Sequence, residues 1–221
     1  MPDFSYFCLK RRKKKDMMKK LLLLMVGVLC TLTVAAQTKV TWSMELGLGM
    51  STWMGKGSDH TNPIFSPKVG IGIDVPLSGL VSFQTGLSWV SKGAKAERLN
   101  QDVQVNQNYF QMPLLAAFHV GTVSSFDMVF TAGPYLAYGV NGKTEYEVDD
   151  MTTSWNTFGS SNLNGVKTDG LDRLDAGVQA GVAMDFPRWT VGLDGDFSFI
   201  KIASGHHPYN LAFYLTCAYK F

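Results

Sequence analysis

Four histidines are present in the chain. Three of them, His60, His206 and His207, stand in polar stretches, with Asp59 beside the first. Imidazole and carboxylate together are ligands for zinc and its neighbours, so Asp59, His60, His206 and His207 are the set to weigh as a metal site. They meet only if the first and last segments of the chain lie side by side. Solvated loop histidines account for them more simply, so neither metal nor cofactor is expected. The run Glu145–Asp150 is acidic and reads as a solvated stretch rather than a calcium loop. No G-x-S-x-G motif presents a nucleophile.

A second set of charged residues has a different setting. Glu45, Lys68, Asp74, Arg173, Asp175, Asp194, Asp196 and Lys220 each alternate with apolar neighbours. The clearest case is the C-terminus, where Tyr209, Leu211, Phe213, Leu215, Cys217, Tyr219 and Phe221 occupy every second position. Strict alternation is the period of a strand with one face in an apolar medium. The same pattern marks eight segments: 42–52, 68–75, 81–91, 109–120, 126–140, 171–186, 189–200 and 209–221. In the second, Val69, Ile71, Ile73 and Val75 oppose Lys68, Gly70, Gly72 and Asp74. No stretch repeats apolar residues at helical spacing over a useful length.

The start of the chain resembles an export signal. Lys19 and Lys20 precede the apolar run 21–29, and Val34-Ala35-Ala36 forms a small-residue cleavage site before Gln37. Residues 1–36 are therefore expected to be removed, with translation starting at Met17 or Met18, leaving 37–221 as one domain. The whole chain has 20 basic and 18 acidic residues. Residues 1–36 hold eight and two of these, so the mature part carries 12 − 16 = −4. No basic surface for nucleic acid remains. Only Cys217 of the three cysteines survives, on an apolar strand face, where it acts as a small hydrophobe.

The connections alternate in length. Those at 76–79, 121–125 and 187–188 are short, whereas 53–67, 92–108, 141–170 and 201–208 are long. Short turns at one end and long loops at the other suit an outer-membrane barrel, with the turns in the periplasm. A soluble barrel would turn its apolar face inward. Here the polar face is rich in Gly, Ala and Ser with single charges, as a narrow lumen requires. Aromatics gather near the segment ends (Trp42, Trp89, Tyr138, Trp189, Tyr219, Phe221), as interfacial girdles do. The expected fold is all-β, an eight-stranded antiparallel up-and-down transmembrane barrel, monomeric, surrounded by outer-membrane lipid.

Several blocks carry a resemblance. Pro67–Gly72, Trp89–Lys95, Tyr109–Leu115, Ala132–Tyr135, Asp175–Gly181 and Ala218–Phe221 look like the PorT-like outer-membrane β-barrel family of Bacteroidetes. The chain departs from that family's pattern at Thr85-Gly86-Leu87 and at 196–200. The resemblance implies an eight-stranded barrel. The family's founding member is associated with secretion across the outer membrane, and most members have no assigned activity.

The expected function is that of a small, non-enzymatic outer-membrane protein that displays loops or serves an envelope or secretion complex. A narrow pore for small solutes is the alternative, and a lipid-modifying enzyme a remote one, since His119 falls at the periplasmic end. The 141–170 loop, with Met151, Trp155, Phe158 and Leu163, is the expected protein-contact element; the alternative is that these apolar residues fold back over the barrel mouth as a lid. Phe221 and Tyr219 are the expected signal to the barrel-assembly machinery. Glu45 and Lys220, on strands that become neighbours on closure, are expected to pair.

Overall fold

The computed structural model describes residues 40–56, 58, 61–98, 101–123, 125–148, 151–158, 161–163, 166–168, 170–201 and 207–221. The expected signal segment lies outside these residues, as do Asp59, His60 and His206. Strands β1 (Thr41–Lys56), β2 (Thr61–Asn62), β3 (Ile64–Pro76), β4 (Val81–Arg98), β5 (Gln101–Val123) and β6 (Phe126–Val148) come first. They are followed by β7 (Met151–Asn156), β8 (Ser161–Leu163), β9 (Val166–Thr168), β10 (Leu174–Asp185), β11 (Trp189–Ser198) and β12 (His207–Lys220).

Eight of these pair antiparallel around a closed ring, β1-β3-β4-β5-β6-β10-β11-β12, with β12 returning to β1 and β10 to β6. Closure leaves no strand edge in the wall, which a membrane demands because lipid cannot hydrogen-bond backbone. Trp42, Met44, Leu46, Leu48 and Met50 of β1 are exposed, while Gly47 and Ser51 on the opposite face are buried. On β12, Phe213 and Leu215 face out, and Ala212, Tyr214 and Thr216 face in. The protein is therefore inside out relative to a soluble domain, with its apolar surface on the lipid side and its polar atoms in the lumen. Among the described residues no helix is long and apolar enough to cross a membrane.

Two sequence expectations need correction. The stretches 92–108 and 141–170 are not simple loops. The β4–β5 ladder continues to Arg98↔Gln101, and the β5–β6 ladder to Gln101↔Val148, ten residues past Tyr138↔Leu174, where β10 joins the wall. Likewise 53–67 is mostly strand, since β1 runs to Lys56 and β3 begins at Ile64. The outward apolar marker used to find strands stops where the strand leaves lipid. Beyond that point a paired ladder needs only backbone bonds. The wall also carries a bulge at this exit: Asn108 faces Asn141 but Tyr109 faces Gly139, so Val140 is the extra residue. The bulge switches the inward phase of β6 from odd positions (Tyr135, Ala137) to even ones (Thr144).

Candidate functional site: the polar lumen and the outer sheet

The inward positions build a layered polar interior. At the periplasmic mouth Lys220 reaches Asp185 at 2.7 Å, and Asp127 stands in register opposite Asp185. Ser82 lies 3.1 Å from Asp74 and 2.9 Å from His119 Nε2. Gln84 also donates to Asp74. With its proton given to Asp74, Ser82 accepts from His119, the reverse of what an activated nucleophile requires. One layer deeper, Lys68 sits between Glu45 at 2.6 Å and Asp194 at 3.0 Å. These layers line a cavity of about 380 Å³.

The next layer closes the lumen. Lys92 is fully buried, 3.4 Å from Asp175 and 3.2 Å from Asp196, with its ammonium 4.3 Å from the centre of the Tyr135 ring. Asp175 also accepts from Ser198, Tyr135 and Asn210. Gln111 donates to Asp196 at 2.8 Å and to Gln179 at 3.3 Å. A charge held away from water must be both paired and hydrogen-bonded, and Asp175 meets that condition fully.

Above this floor sits a lid. Phe158, 5% exposed, packs edge-on against Tyr109 with ring centres 5.5 Å apart. The Arg173 guanidinium lies 5.4 Å from the other ring's centre, that of Phe158, and its Nη1 donates to the carbonyls of Gly139 and Val140. Gly139 lies directly under Phe158, where any Cβ would strike the ring. Thr157 anchors the segment through the Asn106 carbonyl and Thr144.

Outside the wall, β4 to β7 continue as a sheet whose two faces differ. The face continuous with the lumen carries Ala94, Ala96, Val103, Val105, Tyr146 and Trp155. Its reverse carries Lys95, Asp102, Lys143 and Glu145, joined in the ion pairs Lys95–Asp102 and Lys143–Glu145.

The structure brings together Glu45, Lys68 and Asp194, and separately Asp175 and Asp196; Asp74 and Lys220 join the mouth, and Arg173 the outer rim. The expected Glu45–Lys220 pair does not form. Lys220 stands opposite Ser43 and reaches across β11 to β10, whereas Glu45 turns to the other neighbour of β1, where Lys68 faces Gly47. The glycine leaves that lysine room to bend toward the acid. Lys92 was missed because it fell in an expected loop. The signal was present: 82, 84, 86, 88, 90 and 92 keep the inward phase without a break. Of the loop histidines, only the backbone of His207 is described, as the first residue of β12 opposite Lys56. Among the described residues no group of three or more His, Cys, Asp or Glu is placed to hold a metal.

Residues 35–204 match the family described as outer membrane protein beta-barrel domain. The chain belongs to this family. It is an all-β, up-and-down barrel of the outer membrane, and its aromatic ends and lipid-facing strands follow from that location. No characterised protein compared by sequence matches it. Among solved structures it is similar to Ail, the attachment invasion locus protein of Yersinia pestis, at 10% identity and TM-score 0.42, covering 83% of this chain and 99% of that one. It is also similar to OprG of Pseudomonas aeruginosa (11%, TM-score 0.45, 83% and 97%) and to Neisserial surface protein A (9%, TM-score 0.42, 82% and 97%).

Proposed function

We propose that this barrel is a non-enzymatic anchor whose working surface is the outer sheet of β4 to β7, which contacts a protein partner. The observation that carries this reading is the sheet itself. Ten further residues of paired strand beyond the wall are not needed to span a bilayer, since about 9–11 residues per strand suffice. The face holding Tyr146 and Trp155 places aromatic surface outside the lipid, the composition that protein contacts favour. The resemblance to PorT-like barrels would make the partner a component of an envelope or secretion complex. Replacing Tyr146 and Trp155 together by serine should abolish crosslinked capture of that partner in intact cells while the heat-sensitive gel shift of the folded barrel persists. Retained capture would remove this face as the binding element.

A narrow pore is the second reading, supported by the polar cavity below Lys92. Against it stand Lys92 and Phe158, two successive closures of the lumen. Single-channel conductance in planar bilayers separates the readings: the anchor stays silent, whereas a pore shows discrete openings.

A further inference from the structure

The lumen is out of electrical balance. Among the described residues seven carboxylates (45, 74, 127, 175, 185, 194 and 196) face three ammonium groups (68, 92 and 220). Each buried lysine sits between two acids, so the Lys92 group, with both acids ionised, carries one negative charge. The wall around them is faced with lipid, and a charge in so poor a dielectric calls for a counter-charge.

Three oxygens belong to the Lys92 layer of this lumen. Asp196 Oδ1, Gln111 Oε1 and Asn210 Oδ1 belong to side chains about 1% exposed, and none has a hydrogen-bond partner among the described residues. They are parts of one connected unit. Gln111 Nε2 holds the other oxygen of Asp196 at 2.8 Å, Lys92 bridges Asp196 to Asp175, and Asn210 Nδ2 reaches Asp175 at 3.5 Å. Each amide thus spends its nitrogen on the acids and leaves its oxygen over. One carboxylate and two amide oxygens make a hard donor set with no sulfur or imidazole, suited to alkali and alkaline-earth ions rather than transition metals. The charge left by Lys92, Asp175 and Asp196 is a single unit, which selects a monovalent ion.

We propose that the lumen binds a small alkali cation, sodium or potassium, at Asp196, Gln111 and Asn210. The cation arrives through the cavity on the periplasmic side, whose acidic lining raises the local cation concentration. Bound there, it neutralises the floor of the lumen and satisfies the three oxygens together.

The test compares thermal unfolding of the purified barrel in sodium chloride, potassium chloride and N-methyl-D-glucamine chloride at equal ionic strength, read by the gel shift. Sodium or potassium should raise the midpoint by several degrees over the bulky organic cation, and Asp196→Asn should erase the difference. Equal midpoints in all three salts, or an undiminished difference in the variant, would overturn the site. A larger effect from magnesium or calcium would overturn the monovalent assignment. Should Asp196→Asn not fold, crystals of the unaltered barrel soaked in thallous ion decide: an anomalous peak beside Asp196 and Gln111 supports the site, and its absence rejects it.

Discussion

Lys92 is the residue on which the lumen turns. It is the ammonium group paired with both Asp175 and Asp196, and the two acids are almost fully buried. Lys92→Met should cost about 3–5 kcal/mol, the usual penalty for leaving a buried charge without its partner. Denaturant unfolding of the refolded barrel measures it. Adding Asp196→Asn to the same chain should recover part of the loss, because the two residues are directly coupled. A second coupled pair lies in the lid. Gly139→Ala places a methyl group in the space of the Phe158 ring and should cost about 1–3 kcal/mol by overpacking. In a Phe158→Ala background the same substitution should be nearly neutral. The inward acids were legible from alternation alone, since Asp175, Asp194 and Asp196 keep the phase of their strands. A lid over the mouth was the alternative reading of the 141–170 stretch, but the seat of Phe158 was not legible, because it lies on no strand and its place depends on an absent side chain at 139.

At the level of elements, the closing strand carries the clearest consequence. The Phe221 amide bonds the Trp42 carbonyl at 2.9 Å, so the last residue completes the seam between β12 and β1. Its ring packs edge-on against Tyr219, which in turn meets Trp189. Deleting Phe221 removes one seam bond and the end of this aromatic row. We expect a lower folded fraction in cells, seen as loss of the heat-sensitive gel shift, with the unfolded band retained. An unchanged yield would show that the assembly machinery does not depend on this residue. The outer parts of β4, β5 and β6 were misread as loops for one reason. Their alternation continues, as in Val103, Val105 and Tyr146, but its apolar side now points inward over the mouth rather than outward to lipid. A search tuned to lipid-facing strands ends where the lipid does.

For the whole molecule, location and closure govern behaviour. The mature chain is expected to begin near Gln37 and to fractionate with the outer membrane; N-terminal sequencing of the membrane-extracted protein checks both. Its lumen is closed by side chains at the Lys92 layer and open only as the cavity on the periplasmic side of it. The free cysteine faces outward on β12, so alkylating it with a lipid-soluble reagent should leave unfolding unchanged.

The period of two and the short turns determined the barrel, its strand number and the side of each strand that meets lipid. These are local properties: a strand in lipid must show its apolar side to it, residue after residue. Which charge pairs with which was decided only by closure. Glu45 and Lys220 share a seam and an inward face, yet each finds a nearer partner across the lumen or on its other flank. Choosing among several acids for one lysine depends on ångström-scale reach through a tube built from all eight strands. The bulge at Val140, the space over Gly139 and the three unpartnered oxygens beside Lys92 arise in the same way, from the packing of elements distant in sequence.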